Sequence, residues 1–246
     1  MKQKRISLVI PAYKQEKTIE KDVEQIEAAL KNLQREYTYE IIVVVDGFLD
    51  GTYKNAKRIK SSKVSVVGYE HNQGKGAAVR FGMSRAKGDI IGFIDAGMDI
   101  NPKGISMLLE HFYWYDADVV VGSKLHPVSK VNYPRSRKIL SMGYRFLTRV
   151  MFGFKVKDTQ VGLKLFKREV VKKVLSKLLV KKYAFDIEFL AVAYRKGFTR
   201  IYEAPVEIIF NNASNISSRN FWRVVGRMIW DTVAVFYRLK ILHYYD

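Results

Sequence analysis

An open, mostly parallel α/β sheet with helices on both faces is the fold this sequence predicts. Three observations carry that expectation. Short apolar runs rich in Val and Ile alternate with charged amphipathic stretches through the first half of the chain, as strands buried on both faces alternate with crossover helices. Several runs end in an aspartate or a glycine-containing turn, as strands do where an open sheet presents a ligand edge. Nearly half of the 246 residues (48%) are apolar, which supports one sizeable core and excludes global disorder.

The elements follow in order. Residues 6–10 read as a strand, 16–33 as a charged amphipathic helix and 40–45 as a second strand, followed by Gly51-Thr52 and a helix near 53–60. Residues 64–67 form a third strand, 74–86 a helix, 90–94 a strand, 105–115 a helix and 119–121 a strand. No internal repeat or Pro/Gly-rich linker interrupts the series. The length fits one large domain, or a domain with a small appendage.

After Gly122 the pattern changes. On a helix over 137–151, Arg137, Lys138, Ser141, Arg145, Thr148 and Arg149 share one arc, and Ile139, Leu140, Tyr144, Phe146, Leu147, Val150 and Met151 fill the opposite side. The C-terminal segment repeats this, with Arg219, Asn220, Arg223, Arg227, Asp231 and Arg238 opposite Phe221, Trp222, Val225, Met228, Ile229, Val235, Phe236 and Leu239. Basic polar faces backed by aromatic-rich apolar faces suit helices lying in a membrane interface; packing of both onto the domain is the alternative. No uninterrupted apolar run approaches the ~20 residues of a spanning helix, and the apolar run after Lys4-Arg5 is too short for a signal segment.

The formal charge is +19 and unevenly spread. Between residues 121 and 157 there are nine Lys or Arg and no Asp or Glu. Such a block points to phosphate esters, an anionic membrane surface or nucleic acid, unless it is only a solvated basic face. The chain has no cysteine, which excludes disulfides, thiolate metal sites and thiol nucleophiles and fits a reducing compartment. The four histidines show no metal-ligand spacing.

The most informative stretch is Phe93-Ile94-Asp95-Ala96-Gly97-Met98-Asp99. It delivers two carboxylates to the end of a buried strand, where they are costly unless met by a cation or by hydrogen-bond donors. A hard divalent ion carrying substrate phosphates is one answer; a capping role for Asp95 is the other. Other segments converge on the same edge: Pro11-Ala12-Tyr13 with Glu16, then Asp46-Gly47 with Asp50-Gly51-Thr52. Asp46 suits a nucleobase or ribose, or a turn. Asn72-Gln73-Gly74-Lys75-Gly76 sets a lysine at a helix start, where free backbone N–H groups hold anions.

In this order, Pro11-Ala12-Tyr13, Val44-Val45-Asp46-Gly47, Asn72-x-Gly74-Lys75-Gly76 and Ile94-Asp95-Ala96 resemble the inverting family 2 glycosyltransferases of GT-A fold. Gly122-Ser123-Lys124, Arg137-Lys138-Ile139-Leu140-Ser141 and Asp158-Thr159-Gln160-Val161-Gly162 look more narrowly like the polyprenyl-phosphate (dolichyl-phosphate) sugar transferases, and the last signature is closer to the glucosyl than the mannosyl branch. The resemblance implies a Rossmann-like catalytic domain over 1–210 with an acceptor and membrane-interface helix inserted at 133–152, then an acceptor loop and C-terminal amphipathic helix at 211–246. Pro11, Ala12, Tyr13, Glu16, Asp46, Lys75, Asp95 and Ala96 would bind the nucleotide. Asp95, Lys124, Arg137 and Asp158 would act in transfer; Arg137, Ser141, Ser214 and Asn215 would hold the acceptor phosphate. Asp186 and Glu188 are expected on a helix closing the sugar pocket, or as helix N-terminal carboxylates.

Four departures accompany the likeness. Gly97 replaces the second metal-binding carboxylate, so Asp99 is expected to stand beside Asp95 in holding Mg²⁺ or Mn²⁺. Val45 replaces the first of an Asp-Asp pair, Asn215 replaces a lysine, and Lys124 an arginine. The implied reaction is hexose transfer, glucose favoured, from a nucleotide sugar (UDP-glucose, or GDP-mannose as alternative) to a polyprenyl phosphate with inversion. The implied place is the cytoplasmic face of a membrane, by peripheral attachment. A glycan-directed family 2 enzyme is the alternative acceptor reading. A basic nucleic-acid-binding module is the alternative of another class; it leaves Asp95, Asp46 and Lys75 at strand ends unexplained, so no nucleic-acid partner is expected. The whole scheme requires Asp95 and Arg137 to face one cleft.

Overall fold

The structure is a computed structural model that describes residues 3–131, 135–209 and 218–246, with backbone alone at 131, 135–141 and 218–222. Its first half follows the expected alternation: β1 (Lys4–Ala12), α1 (Ile19–Lys31), β2 (Tyr37–Asp46), α2 (Thr52–Ala56), β3 (Val64–Tyr69), α3 (Lys75–Met83), β4 (Ile90–Ile94), α4 (Gly104–Trp114) and β5 (Val119–Ser123). The second half contains β6 (Lys130–Val131), α5 (Arg135–Phe152), β7 (Leu163–Lys167), α6 (Arg168–Val174), α7 (Phe185–Arg195), β8 (Ile201–Pro205), β9 (Glu207–Ile208) and α8 (Ser218–Lys240).

Seven strands form one sheet in the order β3-β2-β1-β4-β7-β5-β8. The sheet is parallel except at β7, which runs antiparallel to both β4 and β5. The chain winds outward from β1 to β3, then returns to place β4 on the other side of β1. The C-terminal ends of β1 and β4 therefore flank a topological switch point, where helices diverge and leave a crevice for ligand. A two-stranded sheet of β6 and β9 adjoins the main one.

Side-chain alternation sends each strand's residues into two cores. Leu8 and Ile10, with Ile41, Val43 and Val45, pack against Ile19, Val23, Ile26 and Leu30, the apolar stripe of α1. Val9, Val44, Ile91 and Phe93 pack on the opposite face with Ala78 and Val79 of α3 and Phe185, Ile187 and Phe189 of α7. Gly82 lets α3 close on the sheet, since a Cβ there would strike Val9 and Val44.

α5 and α8 pack together through Tyr144 and Thr232, whose hydroxyls are 2.7 Å apart, and through Phe152 set edge-on to Phe236. Much of each expected apolar face packs on the domain: Tyr144, Val235 and Leu239 are buried, and Leu147, Met151, Met228 and Phe236 lie against the core. Thr148, placed on the polar arc by sequence, is buried, whereas Met142, Phe146 and Val150 are exposed, as are Ile229, Trp230, Val233 and Tyr237. Arg238 turns inward toward Glu188. Among the described residues, no helix is long and apolar enough to cross a membrane.

Glu188 is the hub of this half. Fully buried, it accepts hydrogen bonds from the Leu179 and Val180 N–H groups at 3.0 and 2.8 Å and from the Tyr245 hydroxyl at 2.6 Å. It ties α7 to the loop before it and to the segment after α8, rather than closing a sugar pocket. Glu188→Ala leaves those buried donors without an acceptor and should cost about 3 kcal/mol, read as a lower urea midpoint. Glu188→Gln, which keeps one acceptor, should lose less.

Candidate active site

A cavity of about 610 Å³ opens at the switch point. Pro11, Ala12 and Tyr13 from the end of β1, Asp46 from β2, Lys75 from α3, and Asp95, Ala96 and Asp99 from the segment after β4 all line it. The structure thus gathers the expected nucleotide and metal residues, except Glu16. That carboxylate accepts the Gly51 N–H at 3.0 Å and fixes the Asp50-Gly51-Thr52 turn; Gln15 reaches the cavity instead.

Asp46 is buried, and its carboxylate organises a loop. It accepts the Asn72 amide at 2.7 Å, the Gln73 N–H at 2.8 Å and the Gly74 N–H at 2.9 Å. The Ala77 N–H goes to the Lys181 carbonyl at 3.2 Å. The N-terminus of α3 therefore spends these donors internally, and Asp46 supplies the anion that a free helix end would seek. Gly74 (φ +105°) and Gly76 are small for a related reason: a Cβ would strike the Lys181 carbonyl or the Phe185 ring.

Asp95 leaves β4 with its N–H bonded to the Gly162 carbonyl at 2.8 Å and its side chain lying over Gly162. Lys75 Nζ meets one carboxylate oxygen, Oδ2, at 2.8 Å in a hydrogen bond. It lies 2.7 Å from the other, Oδ1, so one ammonium contacts both carboxylate oxygens. Lys75 Nζ is also 4.0 Å from Asp186 Oδ2. Burial works against the charge on Lys75, but Asp95 and then Asp186 more than offset it and push its pKa up. Asp186 is buried, and its other oxygen is held by Lys164 Nζ at 2.6 Å. Burial pulls the Lys164 pKa down in spite of that partner.

The loop after Asp95 is shaped by a residue that sequence reasoning passed over. Asp22 on α1 accepts the Gly97 N–H at 2.9 Å; burial raises its pKa, partly countered by that bond. Gly97 sits at φ +90°, a backbone conformation that resists a side chain. Asp99 stands on the cavity wall, and its carbonyl accepts the Ile209 N–H at 2.9 Å.

The remaining expected residues fare differently. Asp158 is buried and spent on backbone, accepting the Lys124 N–H at 3.0 Å and the Gln160 N–H at 3.3 Å. Neither Asp158 nor Lys124 lines the cavity. The side chains of Arg137 and Ser141, and residues Ser214 and Asn215, lie outside the described residues. Lys182, Tyr183, Arg223 and Arg227 complete the cavity wall. Sequence reasoning assigned them no site role, although the Arg223/Arg227 pair at i, i+4 marks one helix face.

Around this cavity stand Asp95 and Asp99, oxygen donors suited to a hard cation, and Lys75, Lys182, Arg223 and Arg227, suited to phosphates. Among the described residues, no group of three or more His, Cys, Asp or Glu gathers as a metal cage.

Comparison with known proteins places the chain in a family. The sequence profile "Glycosyl transferase family 2" matches residues 7–175. The chain is 31% identical to a dolichyl-phosphate beta-glucosyltransferase of Drosophila melanogaster, over 92% of this chain and 74% of that one. It is 30% identical to the UDP-N-acetylglucosamine–dolichyl-phosphate N-acetylglucosaminyltransferase of Methanococcus voltae, over 98% and 97%. The fold superposes on glucosyl-3-phosphoglycerate synthase of Mycobacterium tuberculosis, solved with Mn²⁺, UDP and phosphoglyceric acid, with a TM-score of 0.70 at 20% identity, covering 95% of this chain and 78% of that one. Mannosyl-3-phosphoglycerate synthase of Rubrobacter xylanophilus gives 0.72, also at 20% identity, over 96% and 75%. The chain belongs to glycosyltransferase family 2. It is a glycosyltransferase of GT-A fold, and its relatives at about 30% identity include enzymes that glycosylate dolichyl phosphate.

Gly162 offers a sharp test of the site, because a Cβ there would overlap the Asp95 carboxylate. Gly162→Ala should lower the transfer rate about 100-fold, as misplacements near an ångström do, while the thermal midpoint moves by only a few degrees. An unchanged rate would remove Asp95 from the reaction centre.

Proposed function

We propose that this enzyme transfers a hexose, glucose by preference, from a nucleotide diphosphate sugar to a polyprenyl phosphate, with inversion at the anomeric carbon. The observation that carries the proposal is the charge arrangement of one cavity: Asp95 and Asp99 on one loop, with Lys75, Lys182, Arg223 and Arg227 on the same walls. Two anionic reactants meet in such a site only if the protein supplies more positive charge than its own carboxylates consume. The names of the relatives support the lipid-phosphate acceptor, and the Asp158–Gly162 signature supports glucose.

In this reading Pro11, Ala12 and Tyr13 contact the nucleoside, and Asp46 holds the Asn72–Gly74 loop against it. Asp95 and Asp99 are the residues to hold Mg²⁺ or Mn²⁺, which when bound would neutralise charge on the leaving diphosphate. The partly exposed carboxylate of Asp95 on the cavity wall fits that role. Lys75 adds positive charge at the same place. An acceptor phosphate is already ionised near neutral pH, so one of its oxygens can attack the anomeric carbon without a general base. The new C–O bond forms as the bond to the β-phosphate breaks, and the nucleoside diphosphate departs with the electron pair. The protein's share is alignment and charge cancellation. Arg137 and Ser141, four residues apart on α5, are assigned to the acceptor phosphate, with Arg223 and Arg227 lining its approach. Asp158 and Lys124 serve by fixing the end of β5.

The exposed apolar residues of α5 and α8 suggest where the lipid arrives. Phe146, Val150, Trp230 and Val233 lie on helices that also carry Arg145, Arg149, Arg223 and Arg227. That combination suits peripheral docking on an anionic membrane surface.

Incubating the protein with labelled UDP-glucose or GDP-mannose and a short polyprenyl phosphate, with and without Mn²⁺, tests the reaction. Label should enter the lipid phase from UDP-glucose and need the metal; label that stays in water with either donor refutes the reading. Arg137→Ala should raise the lipid-phosphate KM about tenfold more than the donor KM, the size of one lost charge-assisted contact. Replacing both Phe146 and Trp230 by Ser should cut sedimentation with phosphatidylserine vesicles at least tenfold and leave nucleotide binding intact.

A further inference from the structure

Four ionic side chains alternate in sign from the cavity into the core: Asp95, Lys75, Asp186 and Lys164. Lys75 and Asp95 are each about one-third exposed, Asp186 is nearly buried and Lys164 is wholly buried. Lys75 Nζ sits against both Asp95 oxygens, at 2.7 and 2.8 Å, with Asp186 Oδ2 at 4.0 Å on its inner side. Lys164 Nζ holds Asp186 Oδ1 and also donates to the Val161 carbonyl at 2.6 Å. Both ammonium groups lie 5.2 Å from the centre of the Phe93 ring. Lys75 thus stands where a cation bound by Asp95 would stand, with a second carboxylate within reach behind it.

We propose that Lys75 is a resident counter-ion that keeps a lone divalent cation off Asp95, and that it shifts toward Asp186 and the incoming diphosphate when cation and nucleotide arrive together. This rests on the nucleotide-sugar reading above. The four groups sum to zero charge. A lone divalent cation would add two positive charges to these four, of which Asp99 could offset only one, and would have to displace an ammonium already in contact. A cation accompanied by a nucleoside diphosphate, which carries about three negative charges near neutral pH, leaves the wall close to neutral. Lys75 then needs a new partner, and Asp186 Oδ2 provides one with little movement.

Lys164 and Asp186 are positioning residues in this scheme. By holding Oδ1, Lys164 offsets the pull of Asp186, so the ammonium of Lys75 rests on Asp95 and not deeper in the wall. Gly97 sharpens the competition, because with no carboxylate at that position Lys75 and the cation contend for Asp95 itself. A purely structural Lys75–Asp95 pair makes the opposite forecast: loss of the lysine brings no gain in cation binding.

Calorimetric titration of the full chain with Mn²⁺ alone, UDP alone and Mn²⁺ at saturating UDP decides between them. The wild-type protein should bind Mn²⁺ at least about tenfold more tightly with UDP than without, within the usual range of coupling between sites, and UDP should gain by the same factor from Mn²⁺. Lys75→Met, and Lys75→Gln as a second variant, should bind Mn²⁺ alone about tenfold more tightly than wild type and show weaker coupling. If both variants bind Mn²⁺ alone no better than a wild type that does bind Mn²⁺ with UDP, the proposal is overturned. The paired change Lys164→Met/Asp186→Asn, which leaves no lone buried charge, should also weaken the coupling; coupling at the wild-type level would rule out a role for Asp186. A wild-type chain that binds neither UDP nor Mn²⁺ with UDP would refute the nucleotide-sugar reading itself.

Discussion

The carboxylate of Asp95 sits at the end of a wholly buried strand, and much of the surrounding architecture answers its charge. A carboxylate there is untenable without compensation, and Lys75 provides it from the first turn of α3. That lysine arrives in place only because Asp46 binds the preceding loop and because Gly74 and Gly76 let the loop lie against Lys181 and Phe185. Gly162, on the strand side, leaves room for the carboxylate itself. Glycines spread along the sequence are thus small for one shared reason, the close packing of backbone and ring around a single ionic contact.

The same contact joins the two halves of the chain. The first half supplies the switch point, with Asp46, Lys75 and Asp95 at strand ends. The second supplies β7, inserted antiparallel beside β4, and α7, which bring Lys164 and Asp186 up beneath the lysine. Glu188, two residues beyond Asp186, then anchors the loop that carries Lys182 and Tyr183 into the cavity wall. Removing water from such a cluster strengthens each interaction within it and penalises any member left unpaired, which makes the cavity wall a cooperative unit.

The first half of the fold was legible because continuous Val/Ile runs have one stable use, as strands covered on both faces. Its elements appear within a few residues of their expected places, and β4 coincides with the run 90–94. The second half was less so. β7 carries lysines at 164 and 167, so its strand pattern is masked by a buried charge whose partner lies on another element. β8 holds a glutamate that binds the Lys157 and Asp158 N–H groups, a purpose visible only in three dimensions. For the site, strand-end motifs pointed to Asp46, Lys75, Asp95 and Asp99, which do line one cavity, but not to the contacts the first three make there. Asp46 and Glu16 look alike as nucleotide ligands, yet hydrogen bonds to backbone claim both. Lys182, Tyr183, Arg223 and Arg227 come to the cavity through long-range packing, which no local spacing reports.

The exposed apolar residues of α5 and α8 bear on the same charges. Each helix buries a narrow stripe containing a threonine, and the Tyr144–Thr232 contact satisfies polar groups that a fully apolar seam would lack. The same stripes bury Tyr144, Phe152, Val235 and Leu239, so the outward Phe146 and Trp230 are apolar surface beyond what packing on the domain uses. Here the larger apolar groups are left in contact with solvent, at an energetic disadvantage of roughly 25 cal/mol for each Å² that could have been buried. Membrane docking would recover that energy. It would also carry Arg223 and Arg227, which line the cavity on α8, toward the surface from which the proposed lipid phosphate would come. On the proposed reaction, α8 would join outward-facing apolar groups to two cavity arginines because such an acceptor joins a hydrocarbon chain to a phosphate.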